Sequence, residues 1–176
     1  GPARARADLF DGATWYLTPT DRTAGVQLER AFRLVADLGA RPRALPPEVH
    51  DRILATVSHL PHVLANVLVA EADATLAEEG EPLPAIGPSF RDATRVAGAP
   101  SSIWTDIYLA NSAALVDRID GVIARLSDVR GLLAASDPEG ITAWNDSAAR
   151  QRARIAAEPA GGGPARAVRV AAVSYT

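Results

Sequence analysis

The sequence predicts a mostly α-helical protein, a helical bundle preceded by a strand–helix–extended remnant of an α/β layer. Three observations predict it. Residues 46–79, PPEVHDRILATVSHLPHVLANVLVAEADATLAEE, open on Pro46 and Pro47 with Glu48 and Asp51 close behind, then run into a stretch apolar on almost every face. That opening is a helix start, and a helix apolar all round is normally buried among others. Leu115, Ile119, Val122, Leu126, Val129 and Leu133 step alternately by four and three residues, which makes a heptad seam. Before residue 46 the chain offers one β-prone run and one extended segment with a helix between them. That is too little for a sheet that stands alone.

The elements follow in order. Gly1 to Asp8 is polar and Arg-rich and reads as a lead-in, and Ala13 to Leu17 is β-prone. Thr18-Pro19-Thr20-Asp21 is a loop and cap cluster ahead of a helix over Arg22–Leu38. Its apolar face is Leu28, Ala31, Phe32, Val35 and Leu38, and Gly39 ends it. Arg41 to Leu45 is extended, because Pro42 and Pro46 both oppose helix. The central helix meets Pro61, which lacks a backbone N–H and frees the carbonyl of Val57. After a break over 78–88, Ser89 is placed to cap a short helix with Asp92 at its third position. Pro100 to Ser102 opens the next helix, where Trp104 and Tyr108 lie one turn apart with core packing as their default role. A long helix then runs to about Ala135, and its seam either packs within the bundle or joins two subunits. Asp137-Pro138-Glu139 starts a last helix that ends on Arg150, Arg152 and Arg154. EPAGGGP at Glu158–Pro164 is a linker, and Val168–Val173 beyond it reads as a lone strand. The expected organisation is an α/β remnant at 1–45, a helical domain at 46–157, and a linker with the start of a further domain at 158–176.

Composition excludes several functions. The 176 residues suffice for one domain with a core, and the net charge of −3 supplies no basic field for nucleic acid. All 18 cations are Arg, and Cys is absent, which removes disulfides, thiolate metal sites and cysteine nucleophiles. No uninterrupted apolar run approaches the roughly 20 residues of a membrane span, and no signal peptide opens the chain. The chain contains no Met, so it is expected to belong to a longer reading frame.

The candidate chemistry lies in and beside the central stretch. At about 100° per residue, Asp51, Ser58 and His62 share one stripe while His59 falls about 60° from His62. Ser58 and His62 then flank the proline, either as satisfied core polar residues or as the floor of a ligand site. Asp92 and Arg95 share a helix face, either as a surface ion pair or with Arg95 as a planar fork for a carboxylate. His59 and His62 with Asp51 are a poor metal set, having no HExxH and no third ligand by motif. Ser58 sits in a helix without the GxSxG turn of a hydrolase nucleophile. GGG at Gly161–Gly163 lacks the GxGxxG spacing of a phosphate loop.

DLFDGATWYLTPT at Asp8–Thr20, HDRILATVSHLPHVLA at His50–Ala65 and FRDATRVAGAPSSIWTDIYLAN at Phe90–Asn111 together resemble the prephenate dehydrogenase family, over roughly Asp8 to Arg154. The resemblance implies a Rossmann domain followed by a helical dimerisation domain of the 6-phosphogluconate-dehydrogenase-like type. It implies NAD-dependent (or NADP-dependent) oxidative decarboxylation of prephenate to 4-hydroxyphenylpyruvate in tyrosine biosynthesis, in a cytoplasmic homodimer. An arogenate dehydrogenase and a non-catalytic helical dimerisation or regulatory module are the alternatives. By the same resemblance Ser58 and His62 line the substrate site, Arg95 binds a substrate carboxylate and Asp92 is its acidic neighbour. Trp104 stands near the site, from its own or the other subunit. The family's glycine fingerprint and catalytic histidine belong upstream of this chain, so no catalytic residue is assigned here and the chain alone is expected to be inactive. Gly87-Pro88-Ser89 stands where the family often has a glycine-rich turn.

Overall fold

A computed structural model of the chain describes residues 5–79 and 86–157. Helix dominates them, beside one two-stranded parallel sheet. They fall into two units, 5–50 with 137–157, and Asp51–Ser136. The linker and lone strand expected after residue 157 lie outside the described residues.

In the first unit, β1 (Thr14–Leu17) pairs in parallel with β2 (Arg41–Ala44), in register from Thr14 opposite Arg41 to Leu17 opposite Ala44. Parallel neighbours need a crossover, and α1 (Gly25–Asp37) supplies it. The pair is closed by Arg41 N–H donating to Ala13 O at 2.7 Å and Leu45 N–H to Leu17 O at 3.0 Å. α1 starts three residues later than the cap cluster predicts. Thr20 and Thr23 turn on each other instead, Thr23 N–H on Thr20 O at 2.9 Å and Thr20 N–H on Thr23 Oγ1 at 3.0 Å. The stop is where the sequence puts it: Gly39 takes a left-handed φ of 79° and its N–H closes on Ala36 O. Val35 is buried as predicted, whereas Leu38 is exposed. Asp137 caps α7 (Pro138–Ala157), its Oδ1 accepting from Gly140 N–H at 2.9 Å. Trp144 on α7 is exposed.

α2 (Pro47–Leu54) leads into the second unit through a π-helical turn, Ala55–His59, and then α3 (Leu60–Glu79). Next come α4 (Pro88–Thr94), α5 (Ser101–Ala110) and α6 (Ser112–Ala134). α3 packs on α4 and α6, the π turn packs on α6, and α5 packs on α6. Small buried residues, Ala55 and Ala65, sit with Leu115 at these contacts. α4 begins on Gly87 with Pro88 in its first turn and no side-chain cap. Ser89 is therefore inside the helix rather than its cap, because the fixed φ of Pro88 already suits the first helical position.

One expectation needs correcting. The run Pro47–Glu78 is one continuous helical path of 32 residues, long and apolar enough by length and composition to cross a membrane. Ser58, His59 and His62 interrupt its apolar residues, so no apolar run of that length stands in the sequence. His59 and His62 are buried beside residues of α5 and the α5–α6 joint, while Val57, Val67, Leu68 and Val69 of the run are exposed.

Candidate functional site

The site is built where the central helix changes pitch. Pro61 has no N–H to extend the i→i−4 ladder. One turn earlier the helix widens, and Leu60 N–H bonds to Ala55 O, five residues back. A π turn takes in an extra residue and re-aims the side chains on either side of it. The 100° spacing therefore fails across it. Ser58, expected on the stripe of His62, is exposed, and His59, expected about 60° from His62, is buried with it.

His62 is only 4% exposed. Its ring stacks on the indole of Trp104, centroids 3.6 Å apart and planes 3° from parallel. His59 meets the same indole edge-on at 6.3 Å, so α5 lays one tryptophan against two histidines. Tyr108, one turn along α5, packs its ring 5.6 Å from Trp104 and hydrogen-bonds through its hydroxyl to His62 Nδ1. Asn66, one turn along α3, brings Nδ2 to 3.3 Å from the same Nδ1. Asn111, at the α5–α6 joint, donates from Nδ2 to Asp51 O at 2.8 Å and lies 3.3 Å from His59 Nδ1. Burial pushes the Tyr108 phenol up from its ordinary range, against a smaller lowering from its bond to Asn66. The other nitrogen of His62, Nε2, is buried and meets no hydrogen-bond partner among the described residues. Buried polar atoms are rarely left so, and one within an aromatic cluster is suited to meet a ligand.

Asp92 and Arg95 are the remaining candidates. Asp92 and Arg95 are exposed on and just after α4, which packs on α3. They make no ion pair with each other, so the structure does not contain the expected surface pair and leaves the Arg95 fork uncommitted among the described residues. Sequence reasoning missed Asn66 and Asn111, weighed His59 only as a metal ligand, and gave Tyr108 only a packing role. The i, i+4 spacing of His62 and Asn66 was a signal for Asn66. No group of three or more metal-ligating side chains lies together among the described residues. The β1–α1 connection carries no glycine-rich turn against a helix N-terminus, so the residues present do not form a dinucleotide phosphate cradle.

Comparison with known proteins places these residues in context. A family model described as "Prephenate dehydrogenase, dimerization domain" matches residues 46–145. The chain is 35% identical over 138 residues to cyclohexadienyl dehydrogenase of Zymomonas mobilis, covering 78% of this chain and 47% of that protein. It is 33% identical over 144 residues to prephenate dehydrogenase of Bacillus subtilis, covering 80% of this chain and 38% of that protein. The chain thus spans less than half the length of these relatives. Among solved structures, prephenate dehydrogenase of Aquifex aeolicus in complex with hydroxyphenyl propionate and NAD+ superposes with a TM-score of 0.75 at 28% identity. That match covers 88% of this chain and 54% of the other.

Proposed function

Since this chain belongs to the prephenate dehydrogenase family, we propose that it is the substrate-binding and dimerisation part of an enzyme that oxidises prephenate to 4-hydroxyphenylpyruvate. Carbon dioxide is lost and NAD takes the hydride. The observation that carries this reading is the buried, unpartnered Nε2 of His62 on a ring held flat by Trp104. Prephenate is a dicarboxylate with a hydroxyl on its ring. An imidazole N–H and a free guanidinium fork are the groups that bind such a molecule at two points. Two-point binding fixes the ring's orientation, which is this chain's contribution to the rate. Arg95 takes a carboxylate, with Ser58, Asp92 and Trp104 bordering the same substrate. The dinucleotide, when bound, would supply the hydride acceptor and would be held by residues other than these.

The quaternary proposal is a cytoplasmic homodimer formed through the helical residues 46–157. Val116, Ile123, Leu126 and Leu133 of α6 are all more than half exposed. They recur at steps of seven, three and seven, the spacing of a helix-packing stripe.

The test is Arg95→Ala and His62→Ala in the full chain with its dinucleotide-binding part. Each should raise the KM for prephenate with the KM for the dinucleotide unchanged. If both changes are silent, the helical body is an interaction module that lacks the substrate site. Arogenate turnover in preference to prephenate would move the enzyme to the arogenate branch with the same residues in place.

A further inference from the structure

We propose that Asn66 and Tyr108 are positioning residues that hold His62 as its Nε2-protonated tautomer, so that the ring offers an N–H to an anionic oxygen of the bound ligand. The inference rests on the substrate-site reading for the identity of the ligand, and on the hydrogen-bond network for the tautomer.

An imidazole has two nitrogens, and the partners of one decide the state of the other. A primary amide nitrogen only donates. Asn66 Nδ2 stands 3.3 Å from His62 Nδ1, where it can only donate. With that donor on Nδ1, the Tyr108 hydroxyl, hydrogen-bonded to the same atom, takes the donor's part there too. Both neighbours of Nδ1 therefore point protons at it. Nδ1 must carry the lone pair, and the ring proton sits on Nε2. Nε2 is buried without a partner, so it is a donor awaiting an acceptor. The stack on Trp104 fixes the plane in which that donor points. Burial keeps the phenol neutral and its O–H present. A ring locked in this way selects a carboxylate or carbonyl oxygen and rejects a cation.

The tautomer is read directly from the nitrogen chemical shifts of His62 in the full chain. The expected result is a lone-pair nitrogen at Nδ1 and a protonated nitrogen at Nε2. Tyr108→Phe removes the O–H without changing the ring, and should give a mixture of tautomers. Asn66→Asp sets an acceptor beside Nδ1 and should move the proton there. Both variants should bind hydroxyphenyl propionate about tenfold more weakly, as expected for one lost hydrogen bond. A wild-type ring protonated at Nδ1, or nitrogen shifts unmoved in both variants, overturns the positioning role and leaves the substrate-site reading standing. If the nitrogens respond as stated but His62→Ala binds hydroxyphenyl propionate as tightly as the parent, the substrate-site reading falls, and the ligand half of this proposal with it.

Discussion

A single nitrogen atom carries most of the functional argument. His62 is placed by residues from two helices, and each constrains a different freedom: Trp104 the ring plane, Tyr108 and Asn66 the proton. Arg95 is the opposite case, an exposed cation with no ion pair among the described residues. Its value is in what it is free to bind. A charged hydrogen bond contributes about 1.5–3 kcal/mol, so Arg95→Ala should raise the KM for prephenate roughly 10- to 100-fold, measured by steady-state kinetics. Tyr108 gives a prediction in pH. Its phenol is raised above its ordinary range, chiefly by burial. The folded state therefore favours the neutral form. The stability this adds is complete below the unfolded phenol's range and is lost as pH rises through the folded value. Unfolding followed by denaturant in alkaline buffers should show a steeper fall for the wild type than for Tyr108→Phe. Equal slopes would place the phenol in water.

The π turn is the element that makes the site. It lets one helix present His59 and His62 to the same indole while Ser58 turns outward. An α-helical turn with one residue fewer would rotate everything before it by about 100° relative to α3. Deleting the exposed Thr56 is expected to regularise the turn with little change in far-ultraviolet helicity. It should shift Trp104 fluorescence as His59 leaves the indole, and abolish binding of hydroxyphenyl propionate. Retained binding would show that the pitch change is incidental. α4 makes a contrast: it is a short helix whose start is set by Pro88 alone, and it carries Arg95 at its end.

Across the whole described chain the apolar accounting is incomplete. No large side chain is fully buried, and Ile123 and Leu126 of α6 are 58% and 61% exposed. Burying such a side chain stabilises by about 1.5–3 kcal/mol, so a helical face of this kind favours a second copy. Ile123→Asp with Leu126→Asp should leave the fold intact by circular dichroism and weaken self-association at least 100-fold, roughly the effect of 3–6 kcal/mol per dimer. Sedimentation at micromolar concentration checks it, and an unchanged dimer would put the interface on another face. The 176-residue chain by itself is expected to turn over no prephenate even when saturated with NAD, because the β1–α1 connection among its described residues forms no dinucleotide cradle. Measurable activity would contradict that.

Local chemistry written in the sequence was enough for the element order, the stop at Gly39, the cap at Asp137 and the parallel strand–helix–strand opening. Each depends on a few adjacent residues whose backbone preferences do not change with context. The motifs around His50–Ala65 and Phe90–Asn111 were likewise enough for the family. Tertiary structure alone decided which residues meet at the site. A regular helical wheel cannot foresee the extra residue of a π turn, which leaves Ser58 exposed and buries His59 with His62. It also decided that Leu115 faces inward while Leu126 and Leu133, on the same heptad seam, stay in solvent. Burial depends on which neighbouring helix arrives at each turn, and periodicity carries no information about that.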